Sequence, residues 1–374
     1  MTPRARILAT IDRKPTDRTP VDLWVTPEVL QSLREHTGQT DELAVYHHLG
    51  LDKIAWVFPG YGSGRFDPNA GSGETMWGVP TRMMNAGLAT YQEFGTPPLG
   101  DYADIAQLDD YALWPDAAGF DYAGARQFAL QARSFNFATI GPWISHFEIY
   151  CQMRGLENAL MDIAADPDFL DATLDRIDAI QTAMLDRFLG EMGELIDIVF
   201  ISDDMGTQES LLISPGSWER HFRDRLKNWC DLIHSYGKKV LYHTDGAVRP
   251  LLPGIINSGI DILNPIQHIC PGMERDALQR DFGDQVIFHG GVDNQKVLPF
   301  GTVDEVRRET RTCIETLGRN GGFICGSCHN VQAGTPVANI LAMIGEVKGL
   351  VRHSQQLPPV PTRAARLSVT PHTI

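Results

Sequence analysis

Nothing in this sequence approaches the roughly 20 consecutive apolar residues that a bilayer-spanning helix needs. Its first residues, Met1-Thr2-Pro3-Arg4-Ala5-Arg6-Ile7-Leu8, lack the apolar stretch of a secretory signal. Positive charge is scarce as well. Lys and Arg number 32 against 47 Asp and Glu, for a formal charge of −15 and a pI near 5.2. That balance argues against nucleic acid or an anionic membrane as the main partner. Cysteine is sparse, six in 374 residues. Only Cys325-Gly326-Ser327-Cys328 has C-x-x-C spacing, which argues against a disulfide scaffold. Cys151, Cys230, Cys270 and Cys313 sit singly in apolar or helical stretches and read as buried, inert thiols. No internal repeat or low-complexity block stands out. The expectation is a soluble, cytoplasmic protein that handles a small molecule.

The hydrophobic fraction, 43%, and the charged fraction, 21%, are those of an ordinary globular protein. The length can bury a substantial core without disulfide or metal staples. Eight apolar runs read as strands: Val21–Val25, Lys53–Phe58, Phe137–Ile140, Ile196–Ile201, Lys239–His243, Asp261–Asn264, Gln285–His289 and Gly322–Cys325. Several lack period-two alternation, as expected of parallel strands covered on both faces. Helical segments lie between them. Thr302 with Glu305 three residues on forms a start signal, and Gly318 a stop. Proline at the first helical position marks starts after Asp166, Ser214 and Thr335. Eight strands alternating with helices predict one α/β domain over residues 1–352, a single (β/α)₈ TIM barrel. The Gly- and Pro-rich stretch 60–100 reads as a long loop or β-meander inserted after strand 2, and 353–374 as a C-terminal tail.

In such a barrel the chemistry sits at the carboxyl ends of the strands. Five consecutive runs end in polar clusters: Ser202-Asp203-Asp204, His243-Thr244-Asp245-Gly246, Asn264-Pro265-Ile266-Gln267-His268, His289-Gly290-Gly291-Val292-Asp293-Asn294-Gln295, and Cys325-Gly326-Ser327-Cys328-His329-Asn330. His243 and Asp245, two apart on an extended strand end, project to one side and can grip one ion or one substrate group. Asp245 reads equally well as a helix cap. Adjacent strand residues point to opposite faces, so one of Asp203 and Asp204 enters the mouth, and Asp204 is favoured. It reads as an acid, a cation ligand or a solvated loop residue. Asp293, Gln295, Gln267 and Asn330 are substrate-binding candidates, with ordering of their own loops as the plainer reading. His329 is favoured over Cys325 and Cys328 as site-facing. No Arg or Lys falls inside the clusters. Arg154 and Arg249 are the nearest, and both read as helix-surface ion pairs.

As an ordered set, these motifs resemble the uroporphyrinogen decarboxylase superfamily. The resemblance runs through Arg4-x-Arg6, Asp17-Arg18-Thr19-Pro20-Val21, His243–Gly246, Asn264–Gln267, Gly290–Gln295 with Leu298–Thr302, His329–Gln332 and Thr335–Met343. It covers about residues 3–350 and implies a (β/α)₈ barrel. True uroporphyrinogen decarboxylases carry Arg-Gln-Ala-Gly-Arg after the first strand. This sequence has Val21-Asp22-Leu23-Trp24-Val25-Thr26-Pro27-Glu28 there, without arginine, and so is closer to the corrinoid-dependent methyltransferase branch. Many members of that branch bind zinc through His-x-Cys and a distant Cys. Here the matching positions are His243, Asp245 and His329, with Cys328 in reserve. The resemblance thus implies a Zn²⁺ site with harder donors, acting as Lewis acid on a small methylated, O-methyl, substrate. Catalytic roles fall to Asp204, His243 and His329. A corrinoid on a separate partner protein accepts the methyl group, since no corrinoid-binding His motif is visible, and the family implies a homodimer. Two alternatives stay open: a metal-free decarboxylase-like lyase on a small acid, and a non-catalytic small-molecule-binding barrel.

Overall fold

Seven parallel strands line up in chain order in one curled sheet: β1 Ile54–Trp56, β2 Ala138–Ile144, β3 Ile198–Ser202, β4 Lys239–His243, β5 Ile262–Asn264, β6 Ile287–His289 and β7 Phe323–Ile324. The computed structural model describes residues 1–61, 72–85 and 87–349; the tail expected at 353–374 lies outside the described residues. Helices separate successive strands, giving an α/β fold of TIM-like barrel type. Side chains at alternate strand positions fill the concave interior: Ile54, Ile140, Ile198, Phe200, Leu241, Ile262, Ile287 and Ile324, with Ile7 and Ile11 of the first helix beneath them. Full burial of each contributes about 1.5–3 kcal/mol. The opposite faces of the strands bury a second, larger cluster against the helices. Both faces are therefore dry, which is why the strand sequences do not alternate.

The eighth expected strand, Val21–Val25, is not a strand. It makes two isolated bridges, Val21 with Cys325 and Val25 with Val331. Its link to β1 is built largely from side chains. The Asp52 amide donates to the Val21 carbonyl at 2.8 Å, but the Ile54 amide donates to the Asp22 carboxylate at 3.2 Å, and Lys53 Nζ donates to the Leu23 carbonyl at 2.8 Å. On the other side, Cys325 donates to the Pro20 carbonyl and Asp22 to the Cys325 carbonyl, each at 2.9 Å. The segment thus ties β7 to β1 and joins the two edges of the sheet. A carboxylate and an ammonium stand where ladder amides and carbonyls would be, so no regular strand forms.

The sequence also understates β2, which runs on past Ile140 to Ile144 through Gly141-Pro142. Helix starts follow their signals. Thr302 and Glu305 form a reciprocal capping box ahead of helix Val303–Leu317, and Pro167–Met192 opens on proline with Asp166 as cap. The segment after Ser214 breaks at Phe222 into Pro215–His221 and Arg223–Ser235. Between β1 and β2, Ser72–Glu74, Pro80–Asn85 and Thr90–Phe94 form a three-stranded antiparallel sheet.

Candidate functional site

Strand register decides which residues meet. Ser202 pairs with His243 across β3 and β4, and His243 with Asn264 across β4 and β5. Their strands end at one level, and beyond them opens a cavity of about 670 Å³. Its apolar lining is aromatic: Trp24, Trp56, Phe58, Phe120, Trp143 and Phe200, with Met76 and Met184. Trp56 meets Trp24 edge-on at 4.9 Å and Phe200 at 4.6 Å between ring centroids, a preferred geometry for rigid aromatic walls. Its polar lining is Glu148, Ser202, Asp204, His243, His329 and Asn330. Among the described residues, no Arg or Lys lines it.

His243, Asp245 and His329 each offer one ligand atom, and all three atoms lie within 4.8 Å of one another. The His243 and His329 rings are 5.6 Å apart, and His329 Nε2 is 4.0 Å from Asp245 Oδ2. His243 Nδ1 lies 2.5 Å from Asn264 Oδ1, which leaves Nε2 turned toward Asp204 at 3.8 Å. Burial, joined by the His243 charge, lowers the His329 pKa against the pull of Asp245 and Asp204. A neutral imidazole with a free lone pair is the ligating form. Burial and the Asp204 charge raise the Asp245 carboxyl, and the two imidazoles oppose them. Two imidazole nitrogens and one carboxylate suit Zn²⁺ and leave a fourth position for substrate or water. The donor set fits the metal.

Asp203 and Asp204 divide as strand alternation dictates. Asp204 lines the cavity and accepts the Asp245 amide at 2.9 Å. Asp203 turns away, accepting Ser145 Oγ at 2.7 Å and the Phe147 amide at 2.6 Å at the start of helix Phe147–Arg154. Of the remaining candidates, Asn330 reaches the cavity lining. Gln267 instead accepts the Gly246 amide at 2.8 Å, and Asp293 accepts the amides of Gln295 and Lys296 at 2.7 and 3.0 Å. Gln267, Asp293, Gln295 and Cys328 surround a separate small crevice. The Cys328 thiol is buried, donates to the Ile266 carbonyl at 3.2 Å, and is pushed up by burial, so it stays protonated. Arg154 is not on the surface: it is 8% exposed, bonded to Asp162 at 2.6 Å and to the Leu99 and Tyr102 carbonyls at 2.7 Å.

One functional side chain escaped the sequence reading. Glu148 lines the cavity and accepts a hydrogen bond from Ser202 Oγ. Burial and then the charge of Asp204 hold its carboxyl well above the usual carboxylate range. The signal was position: Glu148 follows β2 as the other clusters follow their strands, and ending that strand at Ile140 hid it.

The curled parallel sheet and the polar pocket at its carboxyl end define an α/β protein of barrel type with a metal-compatible site. The sequence profile of the uroporphyrinogen decarboxylase (URO-D) family matches residues 89–350, and the chain belongs to that family. Among solved structures, a methyltransferase from Methanosarcina mazei is similar over 93% of this chain and 99% of its own, at 17% identity and a TM-score of 0.68. That likeness is one of fold. Dispersin B is similar over 89% of this chain and 98% of its own, at 13% identity and a TM-score of 0.41. No curated protein matches by sequence.

Proposed function

We propose that this URO-D family member is a (β/α)₈-barrel methyltransferase that demethylates a small O-methyl compound and passes the methyl group to a corrinoid on a separate protein. The observation that carries the reading is the meeting of His243, Asp245 and His329 beside an aromatic cavity, without Arg or Lys among its described lining residues, that also holds a carboxyl raised by burial. His243, Asp245 and His329 would hold Zn²⁺. Bound there, Zn²⁺ would act as a Lewis acid on the ether oxygen and make it a better leaving group.

The chain's own residues supply the rest. The oxygen that loses its methyl group needs a proton at neutral pH. Glu148 stands at the cavity wall with its carboxyl raised, and a raised carboxyl is suited to general acid catalysis. Burial and then the neighbouring Asp204 charge raise the Glu148 carboxyl. Trp24, Trp56 and Phe200 give the substrate an apolar face, and Asn330 offers an amide for orientation. Among the described residues the cavity lining offers none of the arginine forks that a substrate bearing many carboxylates would call for. The described helices include none long and apolar enough to cross a membrane.

Metal analysis of the purified protein, with and without His243→Ala, tests the metal reading. The expected result is metal in the wild type and loss in the variant; no metal in either removes the Lewis-acid step. Incubation of a methyl ether with reduced corrinoid protein is expected to yield the free alcohol and methylcorrinoid. Release of CO₂ from a small acid by metal-free protein would replace this reading with a lyase.

A further inference from the structure

Behind His243 runs a buried chain of hydrogen bonds that the proposed chemistry does not use. Asn264 Oδ1 lies 2.5 Å from His243 Nδ1, and Asn264 Nδ2 lies 2.6 Å from His289 Nδ1. His289 Nε2 lies 3.1 Å from Asp22 Oδ2. The Asp22 carboxylate is also bonded by Trp24 Nε1 at 2.9 Å and the Ile54 amide at 3.2 Å, with Lys53 Nζ at 3.4 Å. Asp22 and Asn264 are each 1% exposed, His289 2% and His243 5%. At such burial a donor facing a donor, or an acceptor facing an acceptor, is costly, so the direction of the chain matters.

The direction can be read from one end. Two donors, Trp24 Nε1 and the Ile54 amide, and the Lys53 ammonium converge on Asp22, which as a carboxylate only accepts. His289 must therefore carry its proton on Nε2, and its Nδ1 is then the acceptor. The group facing Nδ1 must be the amide NH₂ of Asn264. A second contact fixes that orientation independently: Asn264 Nδ2 also lies 3.4 Å from the His289 backbone carbonyl, which cannot donate. The carbonyl of Asn264 then faces His243, so His243 carries its proton on Nδ1. Its Nε2 lone pair is left to point at the cavity.

We infer that Asp22, His289 and Asn264 are positioning residues that lock His243 in its Nδ1–H tautomer and present Nε2 as a preformed metal ligand. The inference rests on the metal site proposed above. The chain also passes negative charge from Asp22 toward the imidazole, which strengthens it as a donor. A carboxylate or carbonyl behind a metal-bound histidine does the same work, and its loss weakens metal binding by about 10–100-fold. Here the acceptor is an amide, and the carboxylate stands two groups further back.

Two measurements test it. Long-range ¹H–¹⁵N NMR of the metal-free protein is expected to show the His243 proton on Nδ1. Finding it on Nε2 overturns the inference, whatever any variant does. Zn²⁺ affinity, read by competition with a chromophoric chelator, is expected to fall about 10–100-fold in Asn264→Leu and about tenfold in His289→Leu. Asn264→Asp keeps an acceptor for His243 Nδ1–H but loses the NH₂ that faces His289 Nδ1 and the His289 carbonyl, so it is expected to bind Zn²⁺ more tightly than Asn264→Leu and less tightly than the wild type. Wild-type affinity in folded Asn264→Leu and His289→Leu, with loss of Zn²⁺ in His243→Ala, overturns the relay and leaves the proposed function standing. A wild type that binds no Zn²⁺ overturns the metal reading, while the NMR tautomer still judges the relay.

Discussion

The two ends of the sheet treat buried acids in opposite ways. At the amino end, each carboxylate next to a strand start is matched by cations. Asp52, before β1, sits between Arg6 and Arg18; Asp197, before β3, between Arg4 and Arg133; Asp261, before β5, beside Lys239. Two of these carboxylates also take strand amides, Asp197 from Thr139 at 3.1 Å and Asp261 from Val240 at 2.8 Å. At the carboxyl end, Glu148, Asp204 and Asp245 gather around one cavity with no Arg or Lys on its described lining. A buried charge satisfied inside the protein holds the fold together, whereas one left without a partner needs an outside cation or a proton. The amino end is built for stability and the carboxyl end for binding, the division expected of barrel enzymes.

This contrast can be broken or sharpened by substitution. The largest effect is expected for His243→Ala, which should abolish stoichiometric Zn²⁺ binding while the melting temperature of the metal-free protein stays near that of the wild type. A large fall in that temperature would make His243 a structural residue. Asp52→Ala should cost about 3–5 kcal/mol in denaturant unfolding, because it removes the buried carboxylate that Arg18 and Arg6 share and leaves Arg6 with Asp17 alone. Its folded fraction should bind Zn²⁺ normally, and weakened binding there would show that the two ends are coupled.

Glu148→Gln should leave Zn²⁺ affinity unchanged and lower the demethylation rate about 10²–10⁴-fold. Its stability also carries a pH signature. The Glu148 carboxyl is raised in the fold above its ordinary value of 4.5, so between those two values the native state holds more protons than the unfolded one. Stability must then fall as pH rises through that window. Glutamine has no such dependence, so wild type should lose stability relative to Glu148→Gln above about pH 4.5. Parallel stability–pH curves would show that Glu148 is not raised. The smallest effect is expected for Arg4→Ala. Arg4 is about two-fifths exposed and Asp197 keeps Arg133, so about 1 kcal/mol or less is expected. A larger loss, measured by the same unfolding assay, would mean that Arg133 alone cannot balance the buried carboxylate.

How much of this was legible in the sequence depended on whether the backbone or the side chains did the work. β3 to β6 stand out as runs such as Ile196–Ile201 and Lys239–His243, because a strand buried on both faces must be continuously apolar. Placing strand ends on one rim put His243, Asp245 and His329 at a common mouth, and the family resemblance singled them out as one ligand set. The segment at Val21–Val25 misled because Asp22 and Lys53 replace ladder amides with side-chain groups, which no apolar pattern reports. Gly141-Pro142 concealed the end of β2 and with it Glu148. Trp24, Trp56 and Phe200 come from three separate strand regions, and only the curl of the sheet stacks them. The bonds from Asp22 to His289 and from Asn264 to His243 join residues far apart in the chain, and local sequence carries no trace of them.

Joining the sheet edges through Val21 and Cys325 ties together positions about 300 residues apart. Trp24 and Asp22, near the start of the chain, touch His289 and thereby the site. A growing polypeptide therefore cannot hold the ligand set in place until almost all of it has been made. On the proposed function, metal capture would wait until His329 has been made, and a fray at the first twenty-five residues would loosen the pocket from behind.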